Sequence, residues 1–400
     1  MLLKALFLFS LLAIAHGCCK KRCKSDSLEN PFNGKCYQIP PEPERPAVWL
    51  DDCDRVPSDC DNYGLIYDLQ HPKGDGPWCS SGQKIRCLLP EKPKLTVTGA
   101  KEFKIISINV MERNYYMTLD GQNERTCRIV PWLLSNFPNL DAIAFQETFM
   151  GGCFSNKLNL RDILTYYGFK YQTETIYSTL KILNGGTFIA SKWPIVDEYG
   201  KIFTTANPWT FEYFVAKGVS YGKIVKTVES EQMTYNVMTT HMQSSGSNYY
   251  REAQCREWAD FSKSLDIPSN EALIFSGDLN MDVTDPSLKS CIDLLNGTLP
   301  EISGFQKASY DPNSNDILQI EDMYKQTMLI DFVFPSKMHR QPEKASQEII
   351  QMKSNDYFKI CYCSICVSRT RHVFPDDDCE RVAWIQQLSD HYAVLGHFKF

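Results

Sequence analysis

The chain has 400 residues, a formal net charge of −6 at pH 7 and an aromatic content of 12%. A surface of net negative charge does not attract polyanions as a whole, so nucleic acid is not the partner that we expect first. A chain of this length exceeds one small hydrophobic core, which predicts a large domain accompanied by a smaller module.

The chain begins with the pattern of a secretory signal peptide. Met1 to Lys4 supplies a positive charge, an apolar stretch runs from Ala5 to Ala15, and small residues precede Cys18. We expect residues 1–17 to be cleaved off and the protein to be secreted to the extracellular space. The apolar stretch is shorter than the roughly 20 residues that span a bilayer.

All 16 cysteines follow this segment in three groups of even number: eight from Cys18 to Cys87, four from Cys127 to Cys291 and four from Cys361 to Cys379. Even counts in an exported chain predict disulfides that close within each region. Residues 18–92 are predicted to form a small Cys-rich N-terminal module. The CxC and CxxC spacing of Cys361, Cys363 and Cys366 leaves a zinc knuckle as the alternative for the last group.

Residues 99–400 contain short apolar runs separated by amphipathic stretches. Seven runs have the length and composition of strands: 103–110, 142–145, 187–190, 235–239, 272–275, 330–334 and 392–398. Three stretches have helical periodicity: 125–137, 160–167 and 250–265. Residues 218–228 could pair with 235–239 as a hairpin. The pattern predicts an α/β fold in which two mixed β-sheets pack face to face with helices outside.

Five short polar signatures stand at the ends of these apolar runs: Asn109, Gln146-Glu147, Thr240-His241, Gly277-Asp278-Leu279-Asn280 and Ser389-Asp390-His391. Metal-assisted phosphate chemistry needs carboxylates for a hard cation, amides for phosphate oxygens, and imidazoles that move protons near neutral pH. The set contains all three kinds of group. Together the signatures predict a hydrolytic phosphodiesterase site.

Each acidic or amide residue also has a structural interpretation. Glu147 at a strand end is suited to bind Mg²⁺, but a solvated glutamate is common at such a position. The amide of Asn109 could hold a metal or a phosphate oxygen, or cap a turn. Asp278 and Asn280 follow an apolar run and could orient a nucleophile and bind phosphate, or form an Asx turn.

The histidines have the same ambiguity. His241 and His391 could each be structural residues. An acid beside the imidazole, as in Asp390-His391, raises the pKa of the ring and suits a general base. Asp331 lies within the apolar run 330–334, where a buried carboxylate needs a partner, and an active-site histidine is the natural candidate.

With these residues in place, the chain from about residue 100 to 400 resembles the endonuclease/exonuclease/phosphatase superfamily. Further segments are similar to the secreted neutral sphingomyelinases: 109–114, 121–125, 185–187, 191–195 and 309–315. The resemblance implies a four-layer α/β sandwich and dependence on Mg²⁺. It also implies hydrolysis of sphingomyelin, in membranes or lipoproteins, to ceramide and phosphocholine.

The resemblance assigns the metal and the phosphate to four residues. Glu147 is implied to be the principal metal ligand, assisted by Asn109. Asp278 and Asn280 are implied to orient water and phosphate. These roles suit the residue types, because carboxylate and amide oxygens are the ligands that Mg²⁺ prefers and amide groups donate to phosphate oxygens.

The resemblance assigns proton transfer to four others. His391 is implied to be the general base, supported by Asp331, while Asp390 lies beside the metal-bound water. His241 is implied to contact the phosphate and to protonate the leaving oxygen. With base and acid duties divided between two imidazoles, hydrolysis needs no covalent intermediate.

Two regions depart from the family. The segment expected to insert aromatic residues into the membrane, 349–384, carries four cysteines here, with Tyr357, Phe358, Tyr362 and Phe374 among basic residues. We expect a disulfide-braced loop that touches lipid. Alternatively, its aromatic rings pack beneath the disulfides. The N-terminal module, 18–92, matches nothing in the bacterial enzymes.

Two other functions remain open at this point. A secreted DNase-like endonuclease would use the same site on a different phosphodiester, although its cleft would need cationic side chains along several phosphates. A catalytically silent binding protein would use the Cys-rich module and keep the sandwich as scaffold. The sequon Asn296-Gly297-Thr298 predicts a glycan on an exposed turn.

Overall fold

The computed structural model describes residues 23–114, 118–321, 325–363, 379 and 381–400. The predicted signal peptide, 1–17, lies outside the described residues. The chain divides into two compact units, and the larger comprises Cys60–Ile66 and Leu89–Phe400. The smaller comprises Tyr67–Leu88 and the residues up to Asp59.

The segment Cys60–Ile66 lies inside the predicted module, yet it clusters with the larger unit. Its Asn62 explains why. The Asn62 side chain donates to the carbonyl of Lys359 at 3.0 Å, and the guanidinium of Arg128 donates to the Asn62 carbonyl at 2.8 Å. These bonds tie a short segment of the Cys-rich region to distant parts of the chain.

The smaller unit has two short antiparallel sheets. Strands β1 and β2 pair with each other, and β3, β5 and β4 form a sheet in that order. The strands are β1 (Ser27–Glu29), β2 (Cys36–Gln38), β3 (Ala47–Leu50), β4 (Ile66–His71) and β5 (Lys84–Leu88). Disulfides Cys23–Cys36 and Cys53–Cys79 brace these short elements, which have little core of their own.

The larger unit contains three sheets and their helices. Its strands are β6 (Glu102–Glu112), β7 (Leu119–Asp120), β8 (Ala142–Thr148), β9 (Tyr171–Gln172), β10 (Phe188–Ser191), β11 (Ile195–Ile202), β12 (Gly218–Val228), β13 (Glu231–His241), β14 (Ala272–Asp278), β15 (Ile302–Ser303), β16 (Asp331–Pro335), β17 (Lys344–Ile350), β18 (Lys353–Cys363), β19 (Arg381–Gln387) and β20 (Ala393–Lys399). Its α-helices are α1 (Gln122–Asn136), α2 (Leu160–Tyr166), α3 (Asn248–Ser264), α4 (Pro286–Leu294) and α5 (Asp316–Glu321). The 3-10 helices of the chain are Pro57–Asp59, Asp61–Tyr63 and Phe211–Phe214.

Two mixed sheets form the centre of this unit. One has seven strands in the order β15-β17-β20-β6-β8-β10-β9, and the other has five in the order β11-β12-β13-β14-β16. Both contribute to one hydrophobic core, in which Phe103 of β6 stacks on Tyr235 of β13 at a centroid distance of 4.2 Å. Helix α1 contacts β6, and α3 contacts β12. The predicted α/β fold with two face-to-face sheets is confirmed.

The predicted elements are present, but β6, β8, β13 and β14 run further than expected, and two of them do so with irregular backbone. Strand β6 does not end at Asn109; it continues to Glu112 through a bulge, where Met111 has a φ of 51°. Strand β8 continues past Phe145 to Thr148, and Glu147 has a φ of 57°. Non-glycine residues rarely adopt positive φ, and they do so most often at functional sites. Both departures from regular strand geometry therefore fall where the polar signatures lie.

The disulfides follow the predicted grouping wherever the structure gives the pair. In the larger unit they are Cys127–Cys153, Cys255–Cys291 and Cys361–Cys379. The zinc-knuckle alternative is wrong for Cys361 and Cys363, because both are disulfide-bonded. Cys366 lies outside the described residues. No helix in the described part of the chain is long and apolar enough to cross a membrane.

The described part of the region predicted to be a lipid-contacting loop, 349–384, consists largely of strands. Strand β18 pairs with β19 on one side and with β7 on the other. Tyr357 is 62% exposed, but Phe358 is buried and its ring lies 4.1 Å from the guanidinium carbon of Arg128. Tyr362 is buried as well. The expectation of lipid contact is therefore wrong for Phe358 and Tyr362, because successive residues of a strand face opposite sides.

The rest of this region is only partly described. Phe374 lies outside the described residues, whereas Trp384 in β19 is 62% exposed. The sequon residue Asn296 is exposed and adopts a φ of 50° in a turn after α4. Its position is compatible with a glycan, and glycosylation stays a prediction.

Candidate active site

Both central sheets deliver polar side chains to one end of the sandwich. The seven-stranded sheet carries Asn109 and Glu147 on the parallel strands β6 and β8. The five-stranded sheet places His241 opposite Asp278, and Asp278 opposite Asp331, in consecutive strand pairs. The carboxyl ends of parallel strands meet at the same edge of a sheet, which explains why residues from distant parts of the chain converge here.

The Asn109 amide joins the two sheets. Its Nδ2 donates to Glu147 Oε1 at 3.0 Å and to Asp278 Oδ2 at 3.1 Å. Its Oδ1 accepts from the backbone N–H of Met111 at 3.0 Å. In this orientation the amide oxygen faces the backbone, so the predicted role of Asn109 as a metal ligand, which stays a prediction, would need the amide to turn over.

Of the two acids held by this amide, Asp278 is buried and Glu147 is half-buried, and both are destabilised as anions. Burial, and then the charge of Asp390, raise the pKa of Glu147. Burial, and then Asp331, raise the pKa of Asp278 to about 7. Carboxylate oxygens this close together, with only one neutral amide between them, are the donor set that suits a hard divalent cation. The residues at this site therefore fit a bound Mg²⁺.

His391 and Asp331 form a buried pair beside these acids. His391 Nδ1 lies 2.8 Å from Asp331 Oδ2, while Nε2 lies 3.9 Å from Asp278 Oδ2. Although burial favours the neutral ring, the carboxylates of Asp331, Asp390 and Asp278 raise the pKa of His391 well above its usual value. The ring also packs edge-on against Tyr310 at 5.5 Å.

Asp278, Asp331 and His391 offer three ligand atoms within 4.8 Å of one another, and they could be taken for a metal site without Glu147. The distance between His391 Nδ1 and Asp331 Oδ2 is that of a hydrogen bond, so a proton lies between these atoms. We therefore interpret His391 and Asp331 as a proton-transfer pair. The other carboxylate oxygens of the cluster belong to Glu147 and Asp278, which share the Asn109 amide.

His241 faces the same acids from the end of β13. Its Nε2 lies 3.6 Å from Glu147 Oε1 and 3.5 Å from Asp278 Oδ2. The ammonium of Lys217 lies 3.1 Å from the same nitrogen. Burial, and then Lys217, lower the pKa of His241 well below its usual value. The ring is therefore neutral, with Nε2 accepting from Lys217, and the role of His241 as a proton donor stays a prediction.

Lys217 and Glu212 are the residues of the site that the sequence reasoning missed. Lys217 is buried, donates to the Met242 carbonyl at 2.7 Å and forms an ion pair with Glu212. Glu212 also accepts from the backbone N–H groups of Ser244 and Ser245, each at 3.0 Å. The signal that could have found Lys217 is its position directly before the apolar start of a strand.

The remaining predicted residues take different places. Asp390 accepts from the Ser389 hydroxyl at 3.2 Å and lies close enough to act on the pKa of Glu147. The backbone N–H of Asn280 donates to Asp278 Oδ1 at 2.9 Å, which is the Asx turn foreseen as the alternative. Gln146 lies outside the site, because its amide donates to Thr239 Oγ1 at 2.8 Å between the sheets.

The ion pair between Lys217 and Glu212 yields a first prediction. We expect Lys217→Met to lower the free energy of unfolding by about 3 kcal/mol, because it leaves a largely buried carboxylate without its cation. The double variant Lys217→Met/Glu212→Gln should recover most of this loss. Urea denaturation of the three proteins at pH 7 measures both values. Equal stability of the single variant and the unsubstituted protein would contradict the assignment.

Comparison with known proteins agrees with this geometry. No protein-family model matches the chain. A sphingomyelinase C of Leptospira interrogans is 30% identical over 242 residues, which cover 56% of this chain. The chain spans only 41% of the length of that relative. A phospholipase C of Staphylococcus aureus is 29% identical over 285 residues, covering 66% of this chain and 78% of the relative.

A solved structure shares both the fold and part of the sequence. A mutant beta toxin from Staphylococcus aureus with bound magnesium ions superposes with a TM-score of 0.60 and 25% sequence identity. The match covers 74% of this chain and all of the toxin. The chain is therefore similar in sequence to proteins named sphingomyelinase C and phospholipase C, and it shares the fold of the magnesium-bound beta toxin.

Proposed function

We propose that the protein is a secreted, Mg²⁺-dependent phosphodiesterase that hydrolyses sphingomyelin to ceramide and phosphocholine. One observation carries the proposal: a single amide, Asn109, holds Glu147 and Asp278 together beside the His391–Asp331 pair. This set contains a cation position and a proton acceptor within one buried cluster. The relatives named sphingomyelinase C and phospholipase C support the choice of substrate.

Glu147 would be the principal residue that holds Mg²⁺, with Asp278 next to it. When bound, the ion would lower the pKa of water and neutralise charge on the phosphoryl oxygens. Asn109 fixes the orientation of both carboxylates, and it could itself ligate only if its amide turned over. Asp390 adds a further negative charge beside Glu147, which raises the pKa of the Glu147 carboxyl.

His391 would be the general base. Its Nδ1–H donates to Asp331, so Nε2, on the side of Asp278, is the nitrogen that would exchange the proton. A cation held by Glu147 and Asp278 would offset the negative charge that raises the pKa of the ring, and Nε2 would then be free to accept. The ring takes a proton from the attacking water and becomes an imidazolium. The carboxylates that raise the pKa of His391 stabilise this cation, in the way that a buried acid supports histidine in other hydrolases.

His241 and Lys217 would act on the phosphate. The low pKa of His241 disfavours the protonated form that proton donation requires, and its Nε2 already accepts from Lys217. His241 would therefore contact the phosphate through Lys217, whose ammonium can donate to a phosphoryl oxygen. The Lys217 ammonium, 3.1 Å from His241 Nε2, supplies the positive charge on this side of the site. A fixed cation in a buried site stabilises negative charge that develops in the transition state. Asn280 would help to orient the phosphate.

Three substrates test this function. Purified protein should release phosphocholine from sphingomyelin vesicles in Mg²⁺ and stop when EDTA is added. Phosphatidylcholine carries the same headgroup on a glycerol backbone, so its rate of hydrolysis measures the preference for the sphingosine backbone. Supercoiled plasmid DNA tests the alternative of a DNase-like endonuclease. Nicking of the plasmid without release of phosphocholine would support the nuclease. Inactivity on all three substrates in Mg²⁺ would favour the alternative of a silent binding protein.

The hairpin of β18 and β19 is proposed to touch the membrane through its exposed rings. Tyr357 and Trp384 are the aromatic residues of 349–384 that the structure shows to be exposed. We expect Tyr357→Ser/Trp384→Ser to lower binding to sphingomyelin vesicles about tenfold, because interfacial aromatic rings are lost. Turnover of a water-soluble phosphodiester should not change. Tyr249→Ser, at a similarly exposed ring on α3, is the control, and unaltered vesicle binding of the hairpin variant would refute the contact.

A further inference from the structure

Six large apolar side chains on two neighbouring segments are exposed. They belong to residues 180–182 and 209–214: Leu180, Ile182, Trp209, Phe211, Tyr213 and Phe214. We call this set the aromatic rim. Leu180 is 92% exposed and Trp209 is 91% exposed. Exposed patches of this kind on a folded protein mark contact with another surface more often than chance.

The two segments form one continuous surface. The backbone N–H groups of Ile182 and Leu183 donate to the Phe214 carbonyl at 2.8 and 3.1 Å. The N–H of Ala216 donates back to the Leu183 carbonyl at 3.0 Å. The Lys181 ammonium lies 4.3 Å from the centre of the Tyr213 ring. These bonds fix the backbones of both segments side by side, so their outward side chains form a single patch.

The aromatic rim is anchored to the active site at both ends. On one side, the Gly186 carbonyl accepts from the N–H of Thr148 at 3.0 Å, and Thr148 directly follows Glu147. On the other, the 3-10 helix Phe211–Phe214 turns Glu212 inward to Lys217, whose ammonium lies 3.1 Å from His241 Nε2. The same short helix therefore presents its aromatic residues to solvent and its acid to the site.

The charge of these segments suits a lipid headgroup layer. Residues 175–183 contain no acidic side chain. Residues 206–215 contain one, Glu212, whose carboxylate is turned inward and paired with Lys217. Lys181 provides one cation among the rings. Tryptophan and tyrosine accompanied by lysine are the residues that concentrate at the interface between lipid and water.

We propose that the aromatic rim inserts into the interfacial layer of a sphingomyelin bilayer and holds the mouth of the active site against it. The proposal rests on the proposed function, since only a lipid substrate requires the site to face a membrane. It concerns a surface different from the β18–β19 hairpin, because it is built from residues 180–182 and 209–214. Such insertion would bury side chains that the free protein exposes to water.

Vesicle binding in EDTA, where no turnover occurs, tests the rim directly. We expect Leu180→Ser/Trp209→Ser to weaken binding to sphingomyelin vesicles at least about tenfold, since both side chains lose their apolar contact with lipid. Because both are almost fully exposed, the variant should fold normally. Phe305→Ser is the matched control: Phe305 is fully exposed and follows β15, at the opposite edge of the seven-stranded sheet from β9.

A second readout reports the location of Trp209. Brominated sphingomyelin vesicles should quench part of the tryptophan fluorescence of the unsubstituted protein, and Trp209→Phe should remove that part. Hydrolysis of a water-soluble phosphodiester by the rim variant should equal that of the unsubstituted protein. Vesicle binding that the double variant leaves intact, or a total quenching that Trp209→Phe leaves unchanged, would overturn the proposal.

The outcomes separate the rim from the proposed function. Sphingomyelin hydrolysis with vesicle binding insensitive to the rim would leave the function standing and remove the rim. Vesicle binding that depends on the rim, without hydrolysis in Mg²⁺, would leave the rim standing and remove the proposed function. A second copy of the chain is the other occupant that could cover the patch. Light scattering that shows a dimer of the unsubstituted protein, lost in the rim variant, would overturn the membrane assignment.

Discussion

Replacing His391 by alanine is expected to lower kcat for sphingomyelin hydrolysis by about three to four orders of magnitude. Hydrolases that lose their general base show a fall in kcat of this size. The ring is the group whose Nε2 is free to take a proton in the cluster, because Nδ1 is committed to Asp331 at 2.8 Å. KM should change little, since the ring acts on water rather than on the lipid.

The partner acid sharpens this prediction. Asp331→Asn keeps the shape of the side chain but can place its amide nitrogen against Nδ1, which would force the proton onto Nε2. We expect kcat to fall by about 10² to 10⁴ with the fold intact. Asp316→Asn is the control, because Asp316 is a partly buried acid whose oxygens accept from the backbone of Gln386 and Gln387 instead. If Asp331→Asn kept more than about a third of the activity, the base assignment would be wrong.

The sequence predicts the location of the catalytic cluster well because of a simple property of sheets. A polar residue that follows a buried apolar run must emerge at a strand end, and neighbouring strand ends lie together. The register pairs of His241 with Asp278, and of Asp278 with Asp331, are the structural result. Their chemical roles do not follow from register, because the direction of an amide such as Asn109 depends on the hydrogen bonds around it.

Loops explain most of what the sequence does not predict. Glu212 lies in a 3-10 helix between two strands, and its contact with Lys217 depends on a path that no periodicity specifies. The aromatic rim also lies on loop segments whose path no periodicity specifies. Asn62 belongs to a Cys-rich stretch, yet it bonds to Lys359 almost 300 positions later in the chain. Contacts at such separation have no local signal.

The prediction was wrong about β18 for a different reason. The cysteine cluster suggested a loop, although the alternation of exposed Tyr357 with buried Phe358 is that of a strand with one face covered. Applied to this stretch, the two-residue period would have separated the ring that can reach a membrane from the one that packs under Arg128. The Tyr357→Ser/Trp384→Ser variant uses this distinction.

Replacing Glu147 by glutamine is expected to abolish the effect of Mg²⁺ on the protein. In the unsubstituted protein, saturating Mg²⁺ at 100 times its Kd should raise the free energy of unfolding by about 2.7 kcal/mol, and the variant should lose this gain. The amide can still accept from Asn109 Nδ2 through its oxygen, so the local structure is kept while the charge is lost. Hydrolysis should fall at least about a hundredfold with it.

The same substitution has the opposite effect without metal, which separates a metal ligand from a structural acid. Burial and Asp390 make the Glu147 anion unfavourable, so Glu147→Gln should leave the metal-free protein equally stable or more stable. Glu112→Gln is the control: burial raises the pKa of Glu112 to about 8, so that side chain is largely neutral at pH 7 already. Its variant should retain the full Mg²⁺ effect. Thermal unfolding with Mg²⁺ and with EDTA measures all three proteins, and a Glu147→Gln protein that Mg²⁺ stabilises as strongly as the unsubstituted one would place the cation elsewhere.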